Sequence, residues 1–219
     1  MAEAKKNRIP TAYSPKGVAV FPRLNEPDFK WKPEAGQYST KIRLPKEEAE
    51  AFLAKFQVMA DDIYTQTLAA TKGKKDKKGK LIEVENAGLP FAVETDKEGT
   101  ETGSLLIAFT ANASYIDKIT KVKKEIKPGI YDSQGKPTNV QVGGGSILKV
   151  AFQPMPYYNE GAGKTGVSFR LEGVQVVELR QFGGNLNFGV EEGGYVAEST
   201  PVPPVEATDG VPSKSAGSF

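Results

Sequence analysis

One stretch, residues 142–182, constrains the fold more than any other part of the chain. It reads VGGGSILKVAFQPMPYYNEGAGKTGVSFRLEGVQVVELRQF, and two runs in it alternate between apolar and other residues with the period of two that is typical of a β-strand. The alternating apolar positions are Leu148, Val150, Phe152, Val167, Phe169 and Leu171. The stretch therefore predicts a long β-hairpin whose loop carries two adjacent tyrosines, Tyr157 and Tyr158.

The composition excludes most common enzyme mechanisms. The 219 residues include no cysteine and no histidine, so disulfides, zinc sites built from these residues and Ser-His-Asp triads are impossible. No paired carboxylates show metal-ligand spacing, although Asp117 or Asp132 could serve a nuclease. We expect a protein that is not an enzyme and that uses no cofactor and no metal.

Charge is distributed unevenly along the chain. The formal net charge is +2, yet residues 191–219 hold five acidic residues and one lysine, which leaves a basic body with an acidic end. A basic body is compatible with binding a polyanion. The N-terminal residues lack the apolar core of a signal peptide and no run of about 18 apolar residues occurs, so we predict a cytoplasmic protein.

Aromatic residues lie next to lysines in a loop at residues 25–36. Trp31, the only tryptophan, is flanked by Lys30 and Lys32 in a segment rich in proline and glycine. This arrangement is typical of a base-stacking platform beside phosphate contacts. A loop aromatic that caps the core explains the pattern equally well. The loop alone leaves the two interpretations open.

The next segment, GQYSTKIRLP, alternates strictly and has one basic face. Tyr38 lies on the same face as Thr40 and Ile42, whereas Lys41 and Arg43 lie on the opposite face. A strand with one basic face is what an oligonucleotide-binding (OB) surface would show.

A helix is predicted to begin at Pro45 and to fade near Ala70. Proline suits a helix start, the first turns carry three glutamates, and Phe52, Phe56, Met59 and Ile63 recur on one face. The lysine-rich residues 72–80 that follow are typical of a flexible basic loop.

Residues 161–165 resemble the end of a phosphate-binding loop but fail its requirements. Gly163, Lys164 and Thr165 match the last three positions of G-x-x-x-x-G-K-[ST], whereas the first glycine is replaced by Tyr158. A strand rather than a helix is predicted to follow. Lys164 is better interpreted as a phosphate contact at the hairpin tip or as a solvated lysine.

Three segments, GGGSILKVAFQPMPYYN, VELRQFGG and GGYVAES, make the chain similar to the tailed-phage single-stranded DNA-binding proteins of the podophage type. The resemblance extends from about Gly17 to Ala197. It implies a mainly β protein with an OB-fold Greek-key barrel of five to seven strands, one long inserted helix and a disordered C-terminal tail. The expected parts are a flexible basic arm (1–16), the DNA-binding domain (17–197) and the tail (198–219).

The resemblance implies sequence-independent coating of single-stranded DNA during phage replication and recombination in the infected host cell. The alternative is a structural or protein-interaction domain, in which the aromatic residues would be packing residues. The expected partners are single-stranded DNA, a phage or host polymerase and helicase contacted through Phe219, and a second copy of the chain in a homodimer. The predicted DNA contacts are Phe21, Trp31, Tyr38, Lys41, Arg43, Tyr115, Lys149, Tyr157, Tyr158, Lys164 and Arg170.

Overall fold

The computed structural model describes residues 9–30, 32–75, 79–117 and 119–181. Within them lie eleven strands and one helix, and all belong to one compact unit, Met1–Gly184. A second unit, Asn185–Phe219, lies entirely outside the described residues. The predicted tail and Phe219 belong to that part of the chain. The elements are β1 (Ala12–Tyr13), β2 (Gly17–Asp28), β3 (Gln37–Pro45), α1 (Lys46–Thr71), β4 (Glu85–Asn86), β5 (Phe91–Thr95), β6 (Glu101–Asn112), β7 (Ser114–Ile116), β8 (Lys123–Glu125), β9 (Gly129–Tyr131), β10 (Ile147–Asn159) and β11 (Lys164–Glu178).

The predicted hairpin is present, and it is longer than the sequence pattern indicated. β10 and β11 pair antiparallel up to Asn159 and Lys164, so the two tyrosines lie on a strand and not in the loop. Pro154 and Pro156 are tolerated within β10 because this half of the strand pairs with β11 alone, and a proline lacks only the donor that would face the open edge.

Five strands close on themselves into a ring. β10 pairs with β2, β2 with β3, and β3 with β6. β6 then pairs in parallel with β11 through Thr110 and Arg170, and β11 returns to β10. The mainly β, OB-type fold with one inserted helix is therefore confirmed. The further strands are short additions, mostly from residues 82–131, where alternation in the sequence is weak.

The interior of the ring is filled by phenylalanines. Phe109, Phe152 and Phe169 project inward from β6, β10 and β11, and each is at most 1% exposed. From α1, Phe52 and Phe56 pack edge-on against Phe152 and Phe169, with ring centroids 5.1–6.0 Å apart. Such pairs are favourable beyond the area that they bury. The helical stripe read from the sequence therefore packs in the core.

β2 contains an irregularity at Phe21 and Pro22. The strand continues past the proline to Asp28, and its register with β3 shifts between Val20 and Arg23. Phe21 has a φ of 49° and is 81% exposed. A bulged residue of this kind leaves the ladder, so the strand can pass a proline and resume pairing.

Three smaller features complete the description. β1 lies within the segment predicted to be a flexible arm, and residues 1–8 of that arm lie outside the described part of the chain. The segment that resembles the end of a phosphate-binding loop, residues 161–165, leads directly into β11, which begins at Lys164. A strand therefore follows it, as predicted. The described residues include no helix with the length and hydropathy of a membrane-spanning segment.

Candidate nucleic-acid interface

A groove of about 1040 Å³ runs along the outside of the ring, beside the end of the β10–β11 hairpin. It is bounded by that hairpin, by the ends of β6 and β7, and by the loop between β2 and β3. In an OB fold, this loop and the loop between the last two ring strands flank the oligonucleotide-binding face. The groove is lined by Lys32, Thr110, Ala111, Asn112, Tyr115, Ile126, Met155, Tyr157, Ser168, Arg170, Leu171 and Glu172.

The two adjacent tyrosines have different environments because they lie on a strand. Tyr157 pairs with Gly166 and lines the groove, with 37% of its surface exposed. A Cβ on Gly166 would come within 3.2 Å of the Tyr157 hydroxyl oxygen, so the glycine leaves room for the ring to lie close to the strand. Tyr158 is half-buried outside the groove lining, and its hydroxyl is buried with no hydrogen-bond partner among the described residues.

On the outer face of the ring, a row of paired residues crosses four strands, β2, β3, β6 and β11, and has an arginine at each end. Arg23 pairs with Ser39, Ser39 with Thr110, and Thr110 with Arg170. Strands lie about 4.8 Å apart, so the two arginine Cα atoms are roughly 14 Å apart with small polar residues between them. Arg170 is exposed and forms no ion pair within the described part of the chain. Its guanidinium is therefore available to a phosphate.

The loop between β2 and β3 is tied to the opposite wall by hydrogen bonds. Lys32 Nζ donates to Asn112 Oδ1 at 2.7 Å, Ser114 Oγ donates to the Ala35 carbonyl at 3.0 Å, and Lys123 Nζ donates to the Glu34 carbonyl at 3.0 Å. These bonds hold Lys32 at the rim of the groove. Trp31, which precedes it, lies outside the described residues.

The β7–β8 hairpin forms part of the same wall and is held by an aspartate. Asp117 accepts hydrogen bonds from the Ile119 and Thr120 amides, at 2.9 and 3.1 Å, and from Lys124 Nζ at 2.6 Å. The Lys124 bond contributes most to lowering the pKa of Asp117 to about 2. The hairpin positions Tyr115, which is 45% exposed in the groove.

Both aspartates considered for a nuclease have structural roles. Asp117 holds the β7–β8 turn, and Asp132 accepts hydrogen bonds from the backbone amides of Gln134 and Lys136 in the turn at residues 132–135. Among the described residues, no group of three or more carboxylates is placed to hold a metal ion.

The two basic residues predicted on β3 differ in availability. Lys41 is exposed and has no ion-pair partner within the described part of the chain. Arg43 instead donates from Nε to both carboxylate oxygens of Glu94, at 2.8 and 2.7 Å. Hydrogen bonding by Arg43 is the main reason that the pKa of Glu94 lies below its usual value. The Arg43 guanidinium is therefore already engaged within the protein.

Other predicted contacts lie away from the groove. Tyr38 is only 7% exposed and belongs to the core, because its side chain lies on the inner face of β3. Lys164 lies at the end of the hairpin, where it forms an ion pair with Glu85 of β4 at 3.3 Å. Lys149 lies in a separate pocket over the Tyr13 ring, and Phe21 lies exposed at the β2 bulge. Of the eleven predicted contacts, the groove brings together Tyr115, Tyr157 and Arg170.

Several groove residues were not predicted from the sequence. Lys32 carried a signal as one of the lysines that flank Trp31. Strand alternation could have found Thr110, which follows the buried Phe109, and Ser168, which lies between the buried Val167 and Phe169. Ile126 and Met155 carried no signal, because only the fold places them at the groove.

A family model supports the interpretation suggested by the groove. Residues 17–179 match the family described as "Single-stranded DNA-binding protein, Bacteriophage T7". The chain belongs to this family. This is a family of DNA-binding proteins, so membership of the chain in it confirms the prediction that the protein is not an enzyme.

Two curated relatives share the family. The chain is 40% identical over 103 residues to the single-stranded DNA-binding protein of Escherichia phage T7, a match that covers 45% of this chain and 44% of that protein. It is 38% identical over 104 residues to the single-stranded DNA-binding protein of Enterobacteria phage T3, covering 45% of each. The matched part thus spans less than half the length of either relative.

A solved structure matches over a longer range. The crystal structure of gp2.5, a single-stranded DNA-binding protein encoded by bacteriophage T7, superimposes with a TM-score of 0.62 at 28% sequence identity. The match covers 86% of this chain and 99% of that chain. It agrees with the membership of the T7-type family shown by the sequence.

Proposed function

We propose that the protein binds single-stranded DNA in the groove without regard to base sequence and coats it during phage DNA replication and recombination. The observation that carries this proposal is the juxtaposition of Tyr157 and Tyr115 with Arg170 and Lys32 around one open groove. Aromatic rings stack on any base, and cations attract the phosphates between bases. Membership of the T7-type family supports the same function.

Binding in this groove requires both stacking and charge. Stacking of one base on an aromatic ring contributes about 1 to 3 kcal/mol and is insensitive to base identity. Each phosphate neutralised on a single strand adds roughly 0.7 to the slope of log affinity against log salt concentration. Arg170 in the groove, and Arg23 and Lys41 on the same outer face of the ring, are exposed cations without an ion pair among the described residues.

The experiment is a titration of tryptophan fluorescence with oligo-dT at two salt concentrations, repeated with oligo-dC and with a duplex of equal length. We expect similar affinity for both single strands, weaker duplex binding, and a loss of affinity as salt increases. Equal affinity for duplex and single strand at moderate salt would contradict the proposal.

The proposal extends to partners and location. The protein would act on phage DNA in the cytoplasm of the infected cell. The tail, residues 198–219, would contact a polymerase or helicase through Phe219, because an aromatic side chain in a polar, proline-rich segment is a compact ligand for an apolar pocket. A homodimer is a further proposal from the resemblance. Deletion of Phe219 should leave oligo-dT binding intact and weaken retention of the replication partner in a pull-down.

A further inference from the structure

A second concave surface follows the groove along β11. It has a volume of about 430 Å³, and Glu172 lines both surfaces. We call it the β9 trough; its main lining residues are Tyr13, Tyr131, Lys149, Glu172, Gly173 and Gln175. β9 runs parallel to β11 and pairs Tyr131 with Gln175, while Ile126, just before β9, lines the groove. One wall therefore continues from the groove into the trough.

The floor of the trough is flat because small residues occupy one row of the sheet. Tyr13 pairs with Ala151, Ala151 with Gly173, and Gly173 with Gly129. Tyrosines rise on both sides of this floor: Tyr13 is 62% exposed on β1 and Tyr131 is 41% exposed on β9. The spacing leaves an open, planar space between two aromatic side chains.

The Tyr131 ring is positioned by glycines, as is the Tyr157 ring in the groove. A Cβ on Gly129 would lie 2.6 Å from Tyr131 Cε2, a distance that a side chain does not tolerate, and one on Gly173 would lie 3.4 Å from the same atom. The ring therefore lies close against the backbone of two strands. Tyr157 is placed in the same way beside Gly166, also on β11.

Among the described residues, the trough contains one positive and one negative side chain. Lys149 would attract a nucleic-acid strand, whereas Glu172, where the trough meets the groove, would repel it. Lys149 Nζ lies 5.5 Å from the centroid of the Tyr13 ring, where it can meet a phosphate beside a stacked base. Glu172 at the junction accepts a hydrogen bond from Thr11 Oγ1 at 2.6 Å. Its carboxylate would repel a phosphate that passes from one surface to the other.

We propose that the β9 trough is a second nucleotide subsite, in which Tyr131 and Tyr13 stack on bases of the same single strand after it leaves the groove. This inference rests on the proposed function of the groove. From Arg170 to Gln175 the strand advances about 16 Å, at roughly 3.3 Å per residue. A strand that occupies both surfaces must therefore be longer than one that occupies the groove alone.

The test measures affinity as a function of oligonucleotide length. Fluorescein-labelled oligo-dT of about 4 to about 16 nucleotides, the range of site sizes for one OB fold, is titrated by anisotropy with the full chain. Affinity of the unaltered protein should increase with length. Tyr131→Leu and Tyr13→Leu should each lower affinity for the long oligonucleotides by about five- to a hundredfold and leave the short ones unaffected.

The controls separate stacking from structure. Tyr131→Phe keeps the ring and should retain the length dependence. Phe91→Leu removes a comparably exposed aromatic, at 47%, that lines neither surface, and should have no effect. Glu172→Gln removes the repulsive charge at the junction and should strengthen binding of long oligonucleotides more than short ones.

Three results have different meanings. Unchanged affinity of both leucine variants for long oligonucleotides would overturn the subsite. An equal loss at every length would also overturn it, because the residues would then act through the groove. Absence of binding by the unaltered protein at all lengths would instead remove the proposed function on which the subsite rests.

Discussion

Adjacent residues on a strand have opposite orientations, and this difference separates Tyr157 from Tyr158. The first lines the groove beside Gly166, whereas the second carries a buried hydroxyl with no partner among the described residues. The same distinction applies to the cations of β3, where Lys41 is without an ion-pair partner in the described part of the chain and Arg43 is held by Glu94.

Tyr157→Leu and Tyr158→Phe should therefore affect different properties. The first should weaken oligo-dT binding by about five- to a hundredfold at every salt concentration, because it removes a stacking surface. The second should leave DNA binding unchanged and should not lower the melting temperature, because a buried hydroxyl without a partner contributes no net stability. Titration and thermal unfolding of both variants measure the two effects. Destabilisation by Tyr158→Phe would show that the hydroxyl has a partner in solution.

Lys41→Ala and Arg43→Ala form a second matched pair. Lys41→Ala should reduce the slope of log affinity against log salt concentration by about 0.7, the value for one phosphate contact on a single strand. Arg43→Ala should leave that slope unchanged and affect stability, because it removes the partner of Glu94. Titrations at several salt concentrations distinguish these outcomes. The assignment is wrong if Arg43→Ala changes the slope as much as Lys41→Ala does.

At the scale of the elements, the β7–β8 hairpin depends on one carboxylate. Asp117 has a pKa lowered from 3.8 to about 2, so the unfolded hairpin binds a proton at a higher pH than the folded hairpin does. The stabilisation is therefore complete above about pH 3.8 and is lost as the pH falls towards 2.

Acidification should open this hairpin locally. Amide exchange at Ile119 and Thr120, which donate to Asp117, should accelerate between pH 3.8 and about pH 2, relative to the intrinsic exchange rate. Asp117→Asn should abolish this pH dependence and accelerate exchange throughout. Exchange followed by NMR in both proteins is the measurement. Identical profiles for the two would contradict a role for the carboxylate.

The elements also show how far the sequence could predict the fold. The faces of β10 and β11 were predicted correctly because a period of two is unambiguous over long strands. The strand positions of Tyr157 and Tyr158 were missed because Pro154 and Pro156 suggested a loop, and only the open edge of β10 makes those prolines acceptable. Tyr131 reaches the β11 surface through the β9–β11 pairing, which no local pattern encodes.

At the scale of the whole molecule, the ring is joined least extensively at the seam between β6 and β11. Within the described residues, this seam has the single pair Thr110 and Arg170. β2 and β10 share two pairs, with two further backbone hydrogen bonds between Ala19 and the residues just before β10, and β10 and β11 pair along their full length. Both seam residues line the groove. Regions with few backbone hydrogen bonds open at low free energy, so this seam should be the most mobile part of the ring.

DNA should suppress that opening. In the free protein, amides directed across the β6–β11 seam should exchange faster than those between β10 and β11, and saturating oligo-dT should slow them selectively, because a ligand that binds only the closed form stabilises it. Exchange measured with and without oligo-dT tests this expectation. A uniform slowing over the whole ring would indicate global stabilisation without a special role for the seam.

The closed ring also determines when the binding surface can exist during synthesis. β11 contributes Ser168 and Arg170 to the groove, and it is the last of the five ring strands to leave the ribosome. The pairing of Thr110 with Arg170 and the pairing of Val18 with Ile147 join segments that are far apart in the chain, and such contacts form late. A nascent chain therefore cannot form the closed ring, or the groove that β11 completes, until β11 has left the ribosome.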